Sequence, residues 1–149
     1  MPRVSHHFVV DRPVAAVFDV VTTARFWPEW HPATRGVAGD VDHPAQLGDQ
    51  ITEHVTIAGI QGSGTWTVVE RDPPHHMALE TSLAFGQLRI SYRFSPAAGG
   101  GTRFQRDLDF PDLGPQLGAA MAAQSAAGAA SLARLVEREV PATTPGGPL

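Results

Sequence analysis

The chain has 149 residues, of which 42% are hydrophobic and 17% are charged, and its formal net charge is -4 at pH 7. This composition indicates a soluble globular domain and excludes a disordered chain, and the acidic balance excludes a broad basic surface for nucleic acid. Because the sequence has no cysteine, disulfides, thiolate nucleophiles and thiolate metal sites are also excluded.

The N-terminal region predicts a strand followed by two helices. Residues 3–10 alternate in polarity as a β-strand does, and no apolar leader precedes them, so we expect a cytoplasmic protein. Apolar residues then recur at i, i+3, i+4 and i+7 from Val14 to Val21, which predicts an amphipathic helix. We expect a second short helix at Ala24–Trp27, ended by Pro28.

The middle of the chain predicts a series of strands separated by short joints rich in glycine and proline. Short joints between sequential strands are typical of an antiparallel meander. We therefore predict an α+β domain at residues 1–140, with seven strands and a long C-terminal helix, and a disordered tail at 141–149. The six strands predicted after the helices are Arg35–Val41, Asp49–Ala58, Ser63–Arg71, His75–Ser82, Gln87–Ser95 and Thr102–Phe110.

The C-terminal helix is predicted from Pro115 to Val140 because proline suits a first helical turn and none recurs before Pro141. Its centre is rich in alanine and glycine, with large apolar groups only near the ends. Small side chains there either allow another backbone to pack closely or leave room for a ligand. The helix is too weakly apolar to predict a membrane span.

Strand alternation places two charges, Glu53 and Arg106, on faces that are otherwise apolar. A charge in such a place is costly unless it is paired or wetted by a cavity, and arginine can hold a carboxylate at two points. Either the two form a buried ion pair of structural importance, or they form a polar spot in a small-molecule pocket. The inward faces also carry His6, Tyr92 and Trp66.

Trp27, Trp30 and His31 lie in a short segment dense in aromatic residues, FWPEWHP. We predict that they form a rim or lid over the pocket, with core packing as the alternative for Trp30. Phe104 points inward from the last strand and either contacts a ligand or helps to fill the interior. The adjacent pairs of histidines point to opposite strand faces, so we predict no metal site.

The chain resembles the START-like (SRPBCC) superfamily in its element order and in three segments. These are FWPEWHP, VVERDPPHHMAL across one hairpin and GGGTRF at the start of the last strand. Within it, the chain resembles the bacterial polyketide cyclase/dehydrase branch over residues 3–140. The resemblance implies a helix-grip fold, in which a curved sheet wraps the C-terminal helix around an internal cavity. It is informative about fold and less so about activity, because one fold hosts many functions.

We expect the protein to bind a small hydrophobic, ring-bearing molecule in this cavity. We also expect no cofactor, and a monomer or homodimer. If the protein is a cyclase, dehydratase or isomerase, Arg106 would stabilise an enolate, Glu53 or His6 would act as base and Tyr92 would orient a carbonyl. The alternative is a carrier or sensor of a lipid, quinone or similar metabolite, without catalysis. A protein-interaction module is a third class, and it would need an exposed apolar patch.

Overall fold

The computed structural model describes residues 2–83 and 86–141, and its centre is one antiparallel sheet of seven strands. The strands are β1 (Arg3–Val10), β2 (Thr34–Gly39), β3 (Gln50–Ile57), β4 (Ile60–Asp72), β5 (His76–Leu83), β6 (Gly86–Pro96) and β7 (Thr102–Asp109). The helices are α1 (Val14–Thr22), α2 (Trp27–Trp30) and α3 (Pro115–Glu139). The predicted α+β class is confirmed: a curled sheet, two short helices after the first strand and a long C-terminal helix.

The position of β1 in the sheet differs from that in a simple meander. Strands β2 to β7 are neighbours in chain order, as predicted, but β1 pairs with β7, so the order is β1-β7-β6-β5-β4-β3-β2. In this pairing Phe8 lies opposite Phe104, and His6 lies opposite Arg106. The connection after β1 contains α1 and α2, and it carries the chain to the opposite edge, where β2 begins. The short joints between the later strands cannot make such a crossing.

The turn between β3 and β4 is tighter than the predicted joint at residues 59–62. Only Ala58 and Gly59 separate the two strands, and both have positive φ, 52° and 78°. Positive φ at both central residues is the conformation of a two-residue hairpin turn that matches the twist of the strands. The glycines that follow therefore belong to β4, so this strand begins at Ile60 and not at Ser63.

The segment around Pro28 also corrects a predicted boundary. A 3-10 turn covers Ala24–Phe26, and α2 then begins at Trp27 with Pro28 in its first turn. A proline is tolerated there because the N–H groups of a first turn have no partner within the helix. Pro28 thus opens a second short helix instead of ending one.

Helix α3 packs most closely against β1 and also contacts α2, α1 and β3. Its buried residues follow helical spacing along one stripe, which comprises Met121, Ser125, Gly128, Leu132, Leu135 and Val136. Gly128 faces Trp30 and Pro32: a Cβ there would lie 3.5 Å from Cδ of Pro32 and 3.6 Å from Cε3 of Trp30, which are ordinary contact distances, so an alanine would also fit. This half of the helix packs directly against α2.

Within the described ranges, none of the helices has the length and apolar character needed to cross a membrane. The tail predicted at residues 141–149 lies outside the described residues, except for Pro141.

Candidate functional site

A cavity of about 250 Å³ lies between the concave face of the sheet and the first half of α3. Leu117, Met121 and Ser125 form part of its wall, so this half of the helix leaves space where the second half packs tightly. The opposite wall consists mainly of apolar side chains of β3 to β7, including Val55 and Ile90. Of the small residues of α3, Ser125 is the one that lines the cavity, beside the larger Leu117, Met121 and Gln124.

Most of the predicted site residues lie together in this wall. They are Glu53, Arg106, Trp27, Trp30, His31, Trp66 and Tyr92. They come from α2, the residue after it and strands β3, β4, β6 and β7, and the curl of the sheet brings them around one space. Trp30 belongs to the hydrophobic core and also lines the cavity.

His6 and Phe104 do not line the cavity. Phe104 is enclosed by other aromatic rings, with ring centroids 4.9 Å from Phe8, 5.2 Å from Phe94 and 5.7 Å from Tyr92. His6 is on β1, the edge strand against which α3 packs most closely, so the helix leaves no cavity there. For Phe104, filling the interior is thus the role that the geometry supports.

The carboxylate of Glu53 is held by two donors from neighbouring strands. Nε1 of Trp66 donates to one oxygen at 3.0 Å, and the hydroxyl of Thr34 donates to the other. Trp66 is opposite Ile51 in the β3–β4 register, which places it beside Glu53 on the same sheet face. The carboxylate therefore has a defined orientation at the cavity wall.

Arg106 has different partners, so the predicted Glu53–Arg106 ion pair is not formed. Its Nη1 donates to Oγ of Ser125 at 3.0 Å, and its Nη2 lies 3.5 Å from Nε2 of His31. Three strands, β4 to β6, separate Glu53 on β3 from Arg106 on β7. Four strand spacings amount to roughly 19 Å along a sheet, and curvature shortens this distance without bringing the two groups into contact.

His31 is a neutral base beside the Arg106 cation. Burial, followed by the charge of Arg106, lowers the pKa of His31 from 6.5 to about 3. An arginine can only donate, so Nε2 of His31 accepts and the ring proton resides on Nδ1. This nitrogen is buried without a hydrogen-bond partner in the described residues.

The lowered pKa of His31 predicts that the folded state loses stability in acid. Between about pH 6.5 and pH 3 the unfolded chain binds a proton at His31 that the folded chain excludes, so stability falls as pH falls through this window. We expect the contribution of His31 to the free energy of unfolding to be about 2 kcal/mol lower at pH 5 than at pH 7. Urea denaturation of wild type and His31→Gln at both pH values measures the difference, and equal pH dependence in the two proteins would contradict it.

Tyr92 is fully buried on β6 and lines the cavity. Burial raises the pKa of Tyr92, and the nearby charge of Arg106 acts in the opposite direction. The phenol is therefore neutral at physiological pH and is suited to donate a hydrogen bond to a ligand carbonyl.

Ser125 and Thr34 are site residues that the sequence reasoning missed. Each contacts one of the two cavity charges, Arg106 and Glu53 respectively. Ser125 could have been recognised in the sequence, because it is the polar member of the buried stripe of α3. Thr34 could not, since its role depends on the register between β2 and β3. In residues 2–83 and 86–141, no three His, Cys, Asp or Glu side chains form a group able to hold a metal.

Residues 1–138 match the family described as polyketide cyclase/dehydrase and lipid transport. Penitrem biosynthesis cluster 1 protein I of Penicillium ochrochloron is 31% identical over 107 residues, which cover 67% of this chain and 70% of that protein. The fold is similar to that of the Zhui aromatase/cyclase from Streptomyces sp. R1128, with a TM-score of 0.75, 20% identity and 99% of both chains covered. A START superfamily protein from Mycobacterium smegmatis gives a TM-score of 0.73 at 20% identity, with 93% of this chain and 99% of that one covered.

Proposed function

The chain belongs to the polyketide cyclase/dehydrase and lipid transport family, within the START-like superfamily, and from this premise we propose that it binds a small, mainly apolar, ring-bearing molecule in the cavity. The observation that carries the proposal is the cavity itself, whose apolar wall holds a few oriented polar groups. Small-molecule sites commonly have this composition, because apolar contact supplies affinity and polar groups fix orientation.

The geometry supports a proton-transfer reaction on a ketone-bearing ligand. Glu53 would remove a proton from a carbon next to a carbonyl, and the C–H electron pair would form the enolate double bond. The charge would then move to the carbonyl oxygen, where the Tyr92 hydroxyl stabilises it; the role first expected of Arg106 does not fit, because four strand spacings separate it from Glu53. Attack of that carbon on a second carbonyl of the ligand would close a ring, with the proton returned to the new alkoxide. The base role is assigned to Glu53 because His6 lies outside the cavity wall.

A carrier without catalysis is the second candidate, and the contacts of Glu53 suit it equally. Both carboxylate oxygens already accept hydrogen bonds from Trp66 and Thr34, an arrangement that suits recognition of a ligand hydroxyl as well as proton transfer. The family description also includes lipid transport. Both candidates require the same cavity, so ligand binding is the first property to test.

The methionines provide a local test of binding. Met121 lines the cavity, whereas Met77 is buried in the core outside its wall. When 13C-methyl-methionine protein is titrated with 2-naphthamide, a neutral bicyclic ligand, we expect the Met121 methyl resonance to shift because the ligand ring contacts it. The Met77 resonance is the internal control and should remain near its original position.

The two resonances also separate the other outcomes. Unchanged resonances at saturating 2-naphthamide would contradict the proposed binding of neutral ring compounds in this cavity. Native mass spectrometry of the purified protein complements the titration, because a retained molecule can be extracted and identified. A ring-bearing ketone would favour the enzyme, and a retained fatty acid would favour the carrier.

A further inference from the structure

Arg106 is a buried cation without an acidic partner. Arg106 is only 7% exposed, and within the described part of the chain it takes part in no salt bridge. Its contacts with Ser125 and His31 are to neutral groups, and its Cζ lies 6.0 Å from the centroid of the Trp30 ring. A buried charge is costly unless an opposite charge compensates it, so an anionic ligand group beside Arg106 would be stabilising.

The hydrogen-bonding capacity of the cavity wall points in the same direction. Five residues that line the cavity carry a buried polar atom without a partner: Arg106 (Nε), His31 (Nδ1), Trp27 (Nε1), Trp30 (Nε1) and Thr81 (Oγ1). The four nitrogens are donors, since His31 accepts from Arg106 through its other nitrogen, and the hydroxyl can donate or accept. The surroundings of Arg106 are therefore richer in donors than in acceptors, which favours a ligand group that accepts hydrogen bonds.

The two charges, Glu53 and Arg106, also define how a charged ligand is oriented in the cavity. Glu53 lies on the β3 side, already held by Trp66 and Thr34, while Arg106 lies on the β7 side with donor capacity to spare. A ligand anion is repelled by Glu53 and attracted by Arg106, so its charged end belongs at β7. The apolar wall between them accommodates the ring.

Resting on the proposed function, we propose that the natural ligand is an organic acid, a ring compound whose carboxylate binds Arg106 and whose apolar body lies against the sheet. A guanidinium can contact a carboxylate at two points, and Arg106 lines the cavity without a carboxylate of the protein beside it. This identifies the ligand class more narrowly than a hydrophobic molecule and separates it from neutral lipids and quinones.

A matched pair of ligands tests the proposal on the wild-type protein. 2-Naphthoate and 2-naphthamide have nearly the same shape, but only naphthoate is charged at neutral pH. By isothermal titration calorimetry at pH 7 we expect naphthoate to bind about 10- to 100-fold more tightly, the range for a hydrogen bond to a charged group. Arg106→Gln should remove this preference, whereas Arg93→Gln, at an exposed position of β6, should retain it.

The outcomes distinguish this inference from the proposed function. Equal affinities for the two ligands would overturn the acidic ligand and leave the proposed ring binding intact. Binding of neither ligand would overturn both. If Arg106→Gln does not fold, the wild-type affinity ratio still decides the matter, because it needs no variant at this position.

Discussion

Replacement of Glu53 by glutamine is expected to slow proton abstraction from a ketone by about 100- to 10,000-fold, the range of a positioned general base. The measurement is NMR of deuterium uptake at C1 of 2-tetralone, a bicyclic ketone, in D2O with wild-type and variant protein. The amide keeps the size of the carboxylate and can still accept from Nε1 of Trp66, so the wall retains its shape. Only the capacity to take a proton is lost.

Glu80→Gln is the matched control, because Glu80 lies on β5 and pairs with Arg89 away from the cavity wall. This variant should exchange 2-tetralone at the wild-type rate. An unchanged rate in Glu53→Gln would exclude Glu53 as the base. If wild type does not exceed the buffer rate, while the Met121 resonance still responds to 2-naphthamide, the carrier is the correct function.

Replacement of Trp30 by alanine is expected to lower the free energy of unfolding by about 3–5 kcal/mol, as for other buried tryptophans. Trp30 is 3% exposed and packs over Gly128, and its ring lies 5.5 Å from that of His31. Its loss therefore leaves a void between α2 and α3 and also removes packing around the Arg106 guanidinium. Urea denaturation followed by far-UV circular dichroism measures the effect without depending on tryptophan fluorescence.

Leu47→Ala is a suitable comparison for this experiment, since Leu47 is 67% exposed and should change stability by no more than about 0.5 kcal/mol. A loss below about 1 kcal/mol in Trp30→Ala would contradict the structural role assigned to this side chain. It would mean that α2 contributes little to the packing of α3 and acts mainly as a cover for the cavity.

Several features of the interior could be predicted because strand alternation is local. The period of two residues placed Ile51 and Glu53 on one face of β3, and Phe104 and Arg106 on one face of β7, as observed. The cavity charges were recognisable because each interrupts an apolar face. Ser125 could have been found by the same reasoning applied to α3, where it interrupts the buried stripe.

The partners of these charges could not be predicted, because they depend on the order of strands and on the position of α2. Arg106 and Glu53 are a natural pair in the sequence, but three strands separate them. The structure instead gives Arg106 the neutral His31, from the residue after α2, and Ser125 from α3. The same reason explains why His6 lies outside the cavity although it shares the inward face of its strand.

The sequence by itself therefore determined the succession of helices and strands and the side chains that face the interior, since both follow from periodicity over a few residues. The tertiary structure alone decided that β1 pairs with β7, that α3 packs tightly at Gly128 and leaves space at Met121, and that Arg106 lacks a carboxylate partner. These properties arise from contacts between residues far apart in the chain. Such contacts depend on how the sheet curls around the helix, which no local pattern specifies.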